Sequence, residues 1–108
     1  MYQIWFYVPK NHLEQVKQAM FAAGAGQVGN YSCCSWQTLG VGQFMPLGGS
    51  AAFIGEAFQV SKIAEYQVAM ICADDYIAAA IHALKTVHPY EEVPYQVVKI
   101  VDPQTILG

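Results

Sequence analysis

The octapeptide HPYEEVPY, residues 88–95, contains the densest group of chemically competent side chains in the sequence. Four of its side chains can bind ligands or exchange protons and are the candidate binding residues: His88, Tyr90, Glu91 and Glu92. Pro89 fixes its own φ angle and disfavours a helical conformation at the residue before it, while Pro94 removes a backbone donor where the next element begins. The sequence therefore predicts a stiff polar corner that binds a ligand, and it assigns no catalytic residue.

A glycine-rich segment is the second candidate region. Eight of the nine glycines lie between Gly24 and Gly55. Binding sites concentrate in loops carried by a rigid sheet, and a glycine backbone lets other groups approach closely. Four of these glycines are candidates for amides that line a cleft near His88 and Glu91 of another subunit: Gly40, Gly42, Gly48 and Gly49.

The letters GAGQVG at 24–29 match the spacing of a dinucleotide-binding loop. Such a loop must follow a strand and precede a helix, so that the helix N-terminus faces the phosphates. Here the order is reversed, because a predicted helix precedes the glycines and a predicted strand follows them. The motif is therefore interpreted as a helix end and a turn.

The cysteines give a weaker signal. Their number is odd and no CxxC pair is present, which is typical of reduced thiols: Cys33, Cys34 and Cys72. A metal site built from Cys33, His88 and a carboxylate such as Glu65 or Glu91 stays open as an alternative, although no two of these residues have the local spacing of a known site. The sequence names no cofactor.

Hydrophobic patterning predicts the elements that position these residues. In chain order they are a strand at Tyr2–Val8, a helix over 11–23 capped by Asn11, a hairpin of 31–39 and 41–45 broken at Gly40 and Gly42, a strand over 64–73, a helix ending at 87 and capped by Asp74 and Asp75, a strand over 93–101, and a tail. Without the glycine-rich excursion this order is that of an α+β, ferredoxin-like split βαβ sandwich. We expect one domain over 1–108, an antiparallel sheet with two helices on one face and a long glycine-rich hairpin or loop.

Composition indicates which partners to expect. The chain is 55% hydrophobic and 12% charged, whereas soluble domains carry about 25% charged residues. We therefore expect bare sheet faces of several subunits to pack together in a homo-oligomer. A net charge of −3 with five lysines and no arginine argues against a nucleic-acid partner. The absence of a long apolar run or a signal peptide predicts no membrane partner and a cytoplasmic location.

Four segments, in order, carry a resemblance to a known family: GAGQVGNYSCCSW, GVGQFMPLGG, FIGE and HPYEEVPY. They resemble the small domain inserted in Nif-three-like proteins, which are described as dimetal-hydrolase-like, and separate copies called YqfO-like are similar in length. That domain resembles the PII and CutA proteins, so the resemblance implies a ferredoxin-like trimer with a sensing or metal-linked role. The family's metal ligands belong to the surrounding large domain, so the resemblance implies no equivalent metal set in this sequence.

These observations predict a non-enzymatic, cytoplasmic homotrimer that binds a small molecule, a metal ion or a protein partner at its subunit clefts, with a sensor or regulatory role. Two other functions stay open. One is a structural oligomerisation module for a partner protein, and the other is a metal-dependent hydrolase by analogy with the family.

Overall fold

The computed structural model describes residues 1–108. Its elements follow in chain order: β1 (Tyr2–Val8), α1 (Lys10–Ala22), β2 (Trp36–Phe44), β3 (Ser61–Cys72), a 3₁₀ turn (Asp74–Tyr76), α2 (Ile77–Val87), β4 (Tyr95–Lys99) and α3 (Pro103–Leu107). None of the helices combines the length and the apolar character needed to cross a bilayer.

The four strands form one sheet in the order β2-β3-β1-β4, and all neighbouring strands are antiparallel. The two strands joined through α1 lie on either side of β3, which is the split βαβ arrangement. Helices α1 and α2 pack against each other on one face of the sheet. The predicted fold class is confirmed.

Alternation along the strands fixes the core. In β1 the residues Ile4, Phe6 and Val8 are fully buried, because every second side chain points to the helices. Helices α1 and α2 pack against these residues with side chains at helical spacing, which are fully buried: Val16, Met20, Ala80 and Leu84. The remaining buried apolar side chains are Leu13, Ala25, Val68, Met70 and Cys72.

The opposite face of the sheet has no helix on it. One row across this face reads Trp36, Ala69, Trp5 and Gln96, since these residues are register partners on adjacent strands. The Trp36 side chain is 65% exposed within the single subunit. Two tryptophans therefore flank a small residue on an uncovered sheet.

The predicted hairpin at 31–45 is wrong. Residues Trp36–Phe44 form one continuous strand, paired with β3 from Trp36 opposite Ala69 to Phe44 opposite Ser61. Gly40 and Gly42 are absent from the residues with positive φ, so they continue the strand instead of breaking it. The chain reverses instead in the loop 45–60, because nine backbone pairs with β3 outweigh the weak local preference of two glycines.

Both predicted helix caps are wrong. Helix α1 begins one residue before Asn11, because Pro9 has the fixed φ and extended ψ of an N-cap and accepts the His12 N–H at 3.0 Å. Asp74 and Asp75 form the 3₁₀ turn before α2 and make no side-chain cap. The Asp74 carboxylate instead accepts from Lys99 at 2.8 Å and from the N-terminal ammonium group.

The bounds of β4 and β3 and the structure of the tail also differ from the prediction. Strand β4 spans Tyr95–Lys99 instead of 93–101, and the Pro89–Pro94 corner delays its start. The predicted tail contains α3, whose first turn is capped by the Asp102 carboxylate, which accepts from the Gln104 nitrogen at 3.0 Å. Strand β3 begins three residues earlier than predicted, at Ser61.

The molecule is elongated, with extents of 53 × 24 × 23 Å. Its radius of gyration is 15.3 Å, whereas a globular chain of this length has about 13 Å. The distal parts of β2 and β3 and the loop 45–60 extend past the end of β1, whose last residue, Val8, pairs with Tyr66. We call this projecting segment, residues 39–65, the arm.

Candidate ligand-binding cleft

A cleft of about 320 Å³ lies where the arm meets the corner at 88–94. Its walls come from the end of β2, the loop 45–60, β3 and the corner: Gln43, Phe44, Met45, Pro46, Ser50, Ala52, Phe53, Ile54, Glu65, Tyr90, Glu91, Glu92 and Pro94. This volume is within the usual range for small-molecule sites, about 300–1,000 Å³.

His88 holds the corner from behind. It is 5% exposed, and its Nε2 lies 2.7 Å from the carbonyl oxygen of Tyr7, while its Nδ1 accepts the Tyr90 backbone N–H at 3.1 Å. Because Nδ1 is the acceptor, Nε2 carries the proton and the imidazole is neutral. Burial lowers the pKa of His88, and the nearby His12 lowers it further against the opposing effect of the Tyr7 carbonyl.

Tyr90 turns toward β3. Its hydroxyl donates to Oε2 of Glu65 at 3.2 Å, which joins the corner to the arm. Burial raises the pKa of the Tyr90 phenol, and the charge of Glu65 raises it further. Burial also raises the pKa of Glu65, although the hydrogen bond from Tyr90 opposes this shift.

The Glu65 carboxylate lies over the flat backbone of β2. Its register partner is Gly40, where an added Cβ would meet nothing within 4 Å. The carboxylate leans toward Gly42 instead, where an added Cβ would collide with it. A glycine at 42 therefore leaves the space that the acid occupies.

The loop 45–60 closes the cleft through two contacts with the body. The Ala51 N–H donates to Oε2 of Glu91 at 3.0 Å. The Phe53 ring meets the edge of His12 with centroids 5.5 Å apart and the Tyr90 ring at 6.3 Å. The glycine-rich loop and the HPYEEVPY corner thus meet within one subunit.

The structure brings some of the candidate residues together. Tyr90, Glu91 and Glu92 line the cleft, whereas His88 lies behind it. The four glycines are not among the lining residues: Gly40 borders a smaller hollow on the open sheet face, Gly42 lies under Glu65, Gly48 lies near the Phe58 ring and Gly49 has nothing within 4 Å of an added Cβ. The binding roles of all eight residues stay predictions.

The alternative metal site does not form within one subunit. No three His, Cys, Asp or Glu side chains lie close enough together to hold a metal ion. Both ring nitrogens of His88 are already engaged, so the imidazole has no lone pair left for a metal. Cys33, Cys34 and Cys72 are free thiols.

Glu65 is the residue whose importance the sequence understated. It was identified only as one of two optional metal ligands, and Phe53 was named only within the FIGE segment, without a site role. The available signal was the one carboxylate within the strand segment KIAEYQVAMIC, where Glu65 stands between Ala64 and Tyr66. A charge within a strand run requires a local reason, since charged side chains are seldom placed in such runs without one.

Curated relatives align with most of the length of this chain. The chain is 38% identical over 102 residues to a Mycobacterium leprae protein named GTP cyclohydrolase 1 type 2 homolog and 41% identical over 91 residues to a Bacillus subtilis protein of the same name. The alignments cover 94% and 84% of this chain but 26% and 24% of those proteins. The chain therefore spans about a quarter of the length of the curated relatives it matches. No family model matches the chain.

Solved structures with a similar fold include a NIF3-related protein and two CutA proteins. A Bacillus cereus protein related to NIF3 superposes with a TM-score of 0.81 at 34% identity, over 94% of this chain and 26% of that one. The periplasmic divalent cation tolerance protein CutA from Archaeoglobus fulgidus gives 0.66 at 13% identity, over 94% and 86%. The PII-like protein CutA from a Nostoc species gives 0.64 at 16% identity, over 96% and 85%. The chain therefore has the PII/CutA-like fold, and it matches about a quarter of the length of a protein related to NIF3.

Proposed function

We propose that this chain is a non-enzymatic domain that self-associates and binds a small ligand in the cleft between arm and corner, with a sensor or regulatory role. The observation that carries the proposal is the cleft itself. It combines a volume suited to a small molecule with aromatic walls and a few polar groups, which is the usual composition of a ligand site.

Self-association is supported by the surface of the single subunit. Its accessible area is 6856 Å², whereas a monomer of 11.9 kDa exposes about 6,000 Å². The excess lies with the arm and the open sheet face, where Trp36, Leu39 and Val41 are exposed. We take three as the subunit number, because the resemblance to PII and CutA proteins implies a trimer.

A cytoplasmic location belongs to the same proposal. All three cysteines are free, and free thiols are typical of a reducing compartment. The activity named for the longer relatives is not part of the proposal, because this chain corresponds to about a quarter of their length and its own acidic and histidine side chains do not converge within a subunit.

The cleft is tested by asking whether the protein retains a compound there. Wild type and Ala52→Trp are purified natively and denatured, and the released small molecules are compared by mass spectrometry. The larger side chain at 52 fills the cleft, so a compound present in the wild-type extract should be strongly reduced in the variant. Ala78→Trp, on an exposed position of α2, is the matched control and should behave like wild type. Equal amounts from all three proteins would contradict the proposal.

A further inference from the structure

The charges in the cleft walls all have one sign. Glu65, Glu91 and Glu92 line the cleft, and none of the lining residues is Lys, Arg or His. Lys62 pairs with the lining residue Gln43 in the sheet, but it does not line the cleft itself. The electrostatic potential inside is therefore negative at neutral pH.

No internal cation neutralises these carboxylates. The ion pairs of the chain join Asp74 to the N-terminus and to Lys99, and Glu14 to Lys17. Glu65 receives a hydrogen bond only from the Tyr90 hydroxyl, and Glu91 only from the Ala51 N–H. A ligand with a positive charge would supply the partner that the fold does not.

Among the three carboxylates, Glu65 should be stabilised most by such a cationic partner. It is partly buried against Gly42 and Tyr90, so water solvates it less well than it solvates an acid on the surface. Glu91 and Glu92 are exposed and lie at the mouth. This arrangement places one desolvated acid inside and two solvated acids at the entrance, where they attract cations from solution.

The remaining walls favour an organic cation over a metal ion. Phe44, Phe53 and Tyr90 present aromatic surface, which binds an apolar group and attracts an ammonium group through its π face. A divalent metal ion needs several oxygen ligands that converge on one point. The three carboxylates do not form such a group.

The volume limits the ligand to a small molecule. A cleft of about 320 Å³ has room for about ten groups the size of a water molecule. An arylalkyl amine of that size would place its ring between the aromatic walls and its ammonium group on Glu65.

We propose that the cleft recognises a small organic cation, a protonated or quaternary amine on an apolar body, through the Glu65 carboxylate and the aromatic walls. The inference rests on the proposed function, because it names the ligand class of the same cleft.

Isothermal titration of the full chain with three probes of one shape tests this inference. The probes are the cation phenethylammonium, the neutral 2-phenylethanol and the anion 3-phenylpropionate. We expect the cation to bind at least about tenfold more tightly than either analogue, because only it pairs with Glu65. Glu65→Gln should weaken the cation about tenfold while leaving the neutral probe unchanged. Glu14→Gln makes the same change of net charge on the outer face of α1 and should leave every affinity unchanged.

Several outcomes would overturn the inference while sparing the proposed function. Equal affinities for the cation and the neutral probe would show a purely apolar cleft, and tighter binding of the anion would show the opposite charge preference. Displacement of phenethylammonium by stoichiometric Mg²⁺ would show an inorganic cation site. No binding of the cation, together with a retained compound that Ala52→Trp loses, would show that the cleft is a site for another class of ligand. If no compound is retained either, the proposed function fails as well.

Discussion

The position of the Glu65 carboxylate depends on Gly42, which lies two residues beyond its register partner Gly40. The carboxylate accepts from Tyr90 and occupies the space above Gly42, so the arm, the corner and the cleft are connected through a single side chain. The side chain that would bind a ligand is thus also the one that holds the corner against the arm.

Gly42→Ala tests this dependence directly. The new methyl group should displace the Glu65 carboxylate from Tyr90 and lower the free energy of unfolding by about 1 kcal/mol, the usual value of one lost hydrogen bond. Chemical denaturation measures the difference. Gly40→Ala is the matched control, because the same methyl group there meets nothing within 4 Å. A Gly42→Ala protein as stable as Gly40→Ala would contradict the described position of Glu65.

His88 has a structural role that is sensitive to pH. His88→Gln should lower the free energy of unfolding by about 1–3 kcal/mol at pH 7.5, because a buried hydrogen-bonding group loses its partner. The folded pKa of His88 lies below its ordinary value of 6.5. At pH values between the lowered pKa of folded His88 and the ordinary pKa of 6.5 in the unfolded chain, the unfolded chain binds more protons than the native one. The wild type therefore loses stability as pH falls through this window.

The difference between the two proteins therefore has a predicted direction. Thermal unfolding of wild type and His88→Gln should show a stability gap that is largest above pH 6.5 and narrows as pH falls below it. Groups common to both proteins cancel from the gap, including Glu65, whose raised pKa acts with the opposite sign. A stability difference that widens on acidification would contradict a neutral imidazole with hydrogen bonds at both nitrogens.

The sequence predicted the polar corner at 88–94 correctly but not the separate tasks of its residues. Pro89 and Pro94 are local signals, and local signals were enough to place a stiff turn between α2 and β4. The division of labour between a buried His88 and a cleft-lining Tyr90 depends on the Tyr7 carbonyl and on Glu65, which are distant in the chain. No local pattern records such contacts.

At the scale of elements, the open sheet face is the main feature that the single subunit leaves unexplained. Trp36 and Trp5 flank Ala69, and polar groups lie beside them. Gln67, in the next row, donates to the Tyr7 hydroxyl at 3.1 Å, and that hydroxyl donates to Gln96 of the tryptophan row at 3.3 Å. A face with tryptophans beside ordered polar groups is suited to a specific interface between subunits.

Trp36→Glu should therefore dissociate the assembly without unfolding the subunit. A charge placed on this face is costly once the face is covered, whereas the exposed Trp36 side chain contributes little to the stability of one subunit, about 0.5 kcal/mol or less. Light scattering after size exclusion reports the mass, and circular dichroism reports the fold. Gln15→Glu on the exposed face of α1 is the control and should keep the wild-type mass. An unchanged mass for Trp36→Glu would remove this face from the interface.

The elements differ in how far the sequence could predict them. Strand β1 and the two long helices were predicted well because their periodicity is strong and local. Strand β2 was predicted as a hairpin because Gly40 and Gly42 are usually turn residues. Its pairing with β3 spans a loop of sixteen residues, 45–60, and such long-range pairing overrides local propensity without leaving a local signal.

At the scale of the molecule, the arm explains both the elongated shape and the large surface. Residues 39–65 project past the end of β1, and apolar side chains such as Leu39 and Val41 are exposed within one subunit. Exposed apolar area of this extent favours association. The cleft lies at the base of the arm, and a neighbouring subunit that covered the arm would also border the cleft.

Native mass spectrometry of the freshly purified wild-type protein tests the central claim most directly, because a single spectrum reports the number of subunits and any retained compound. We expect a species of three chains that carries additional small-molecule mass, and this additional mass should be absent from the corresponding species of Ala52→Trp. A monomer with no additional mass would contradict both the covered sheet face and the occupied cleft.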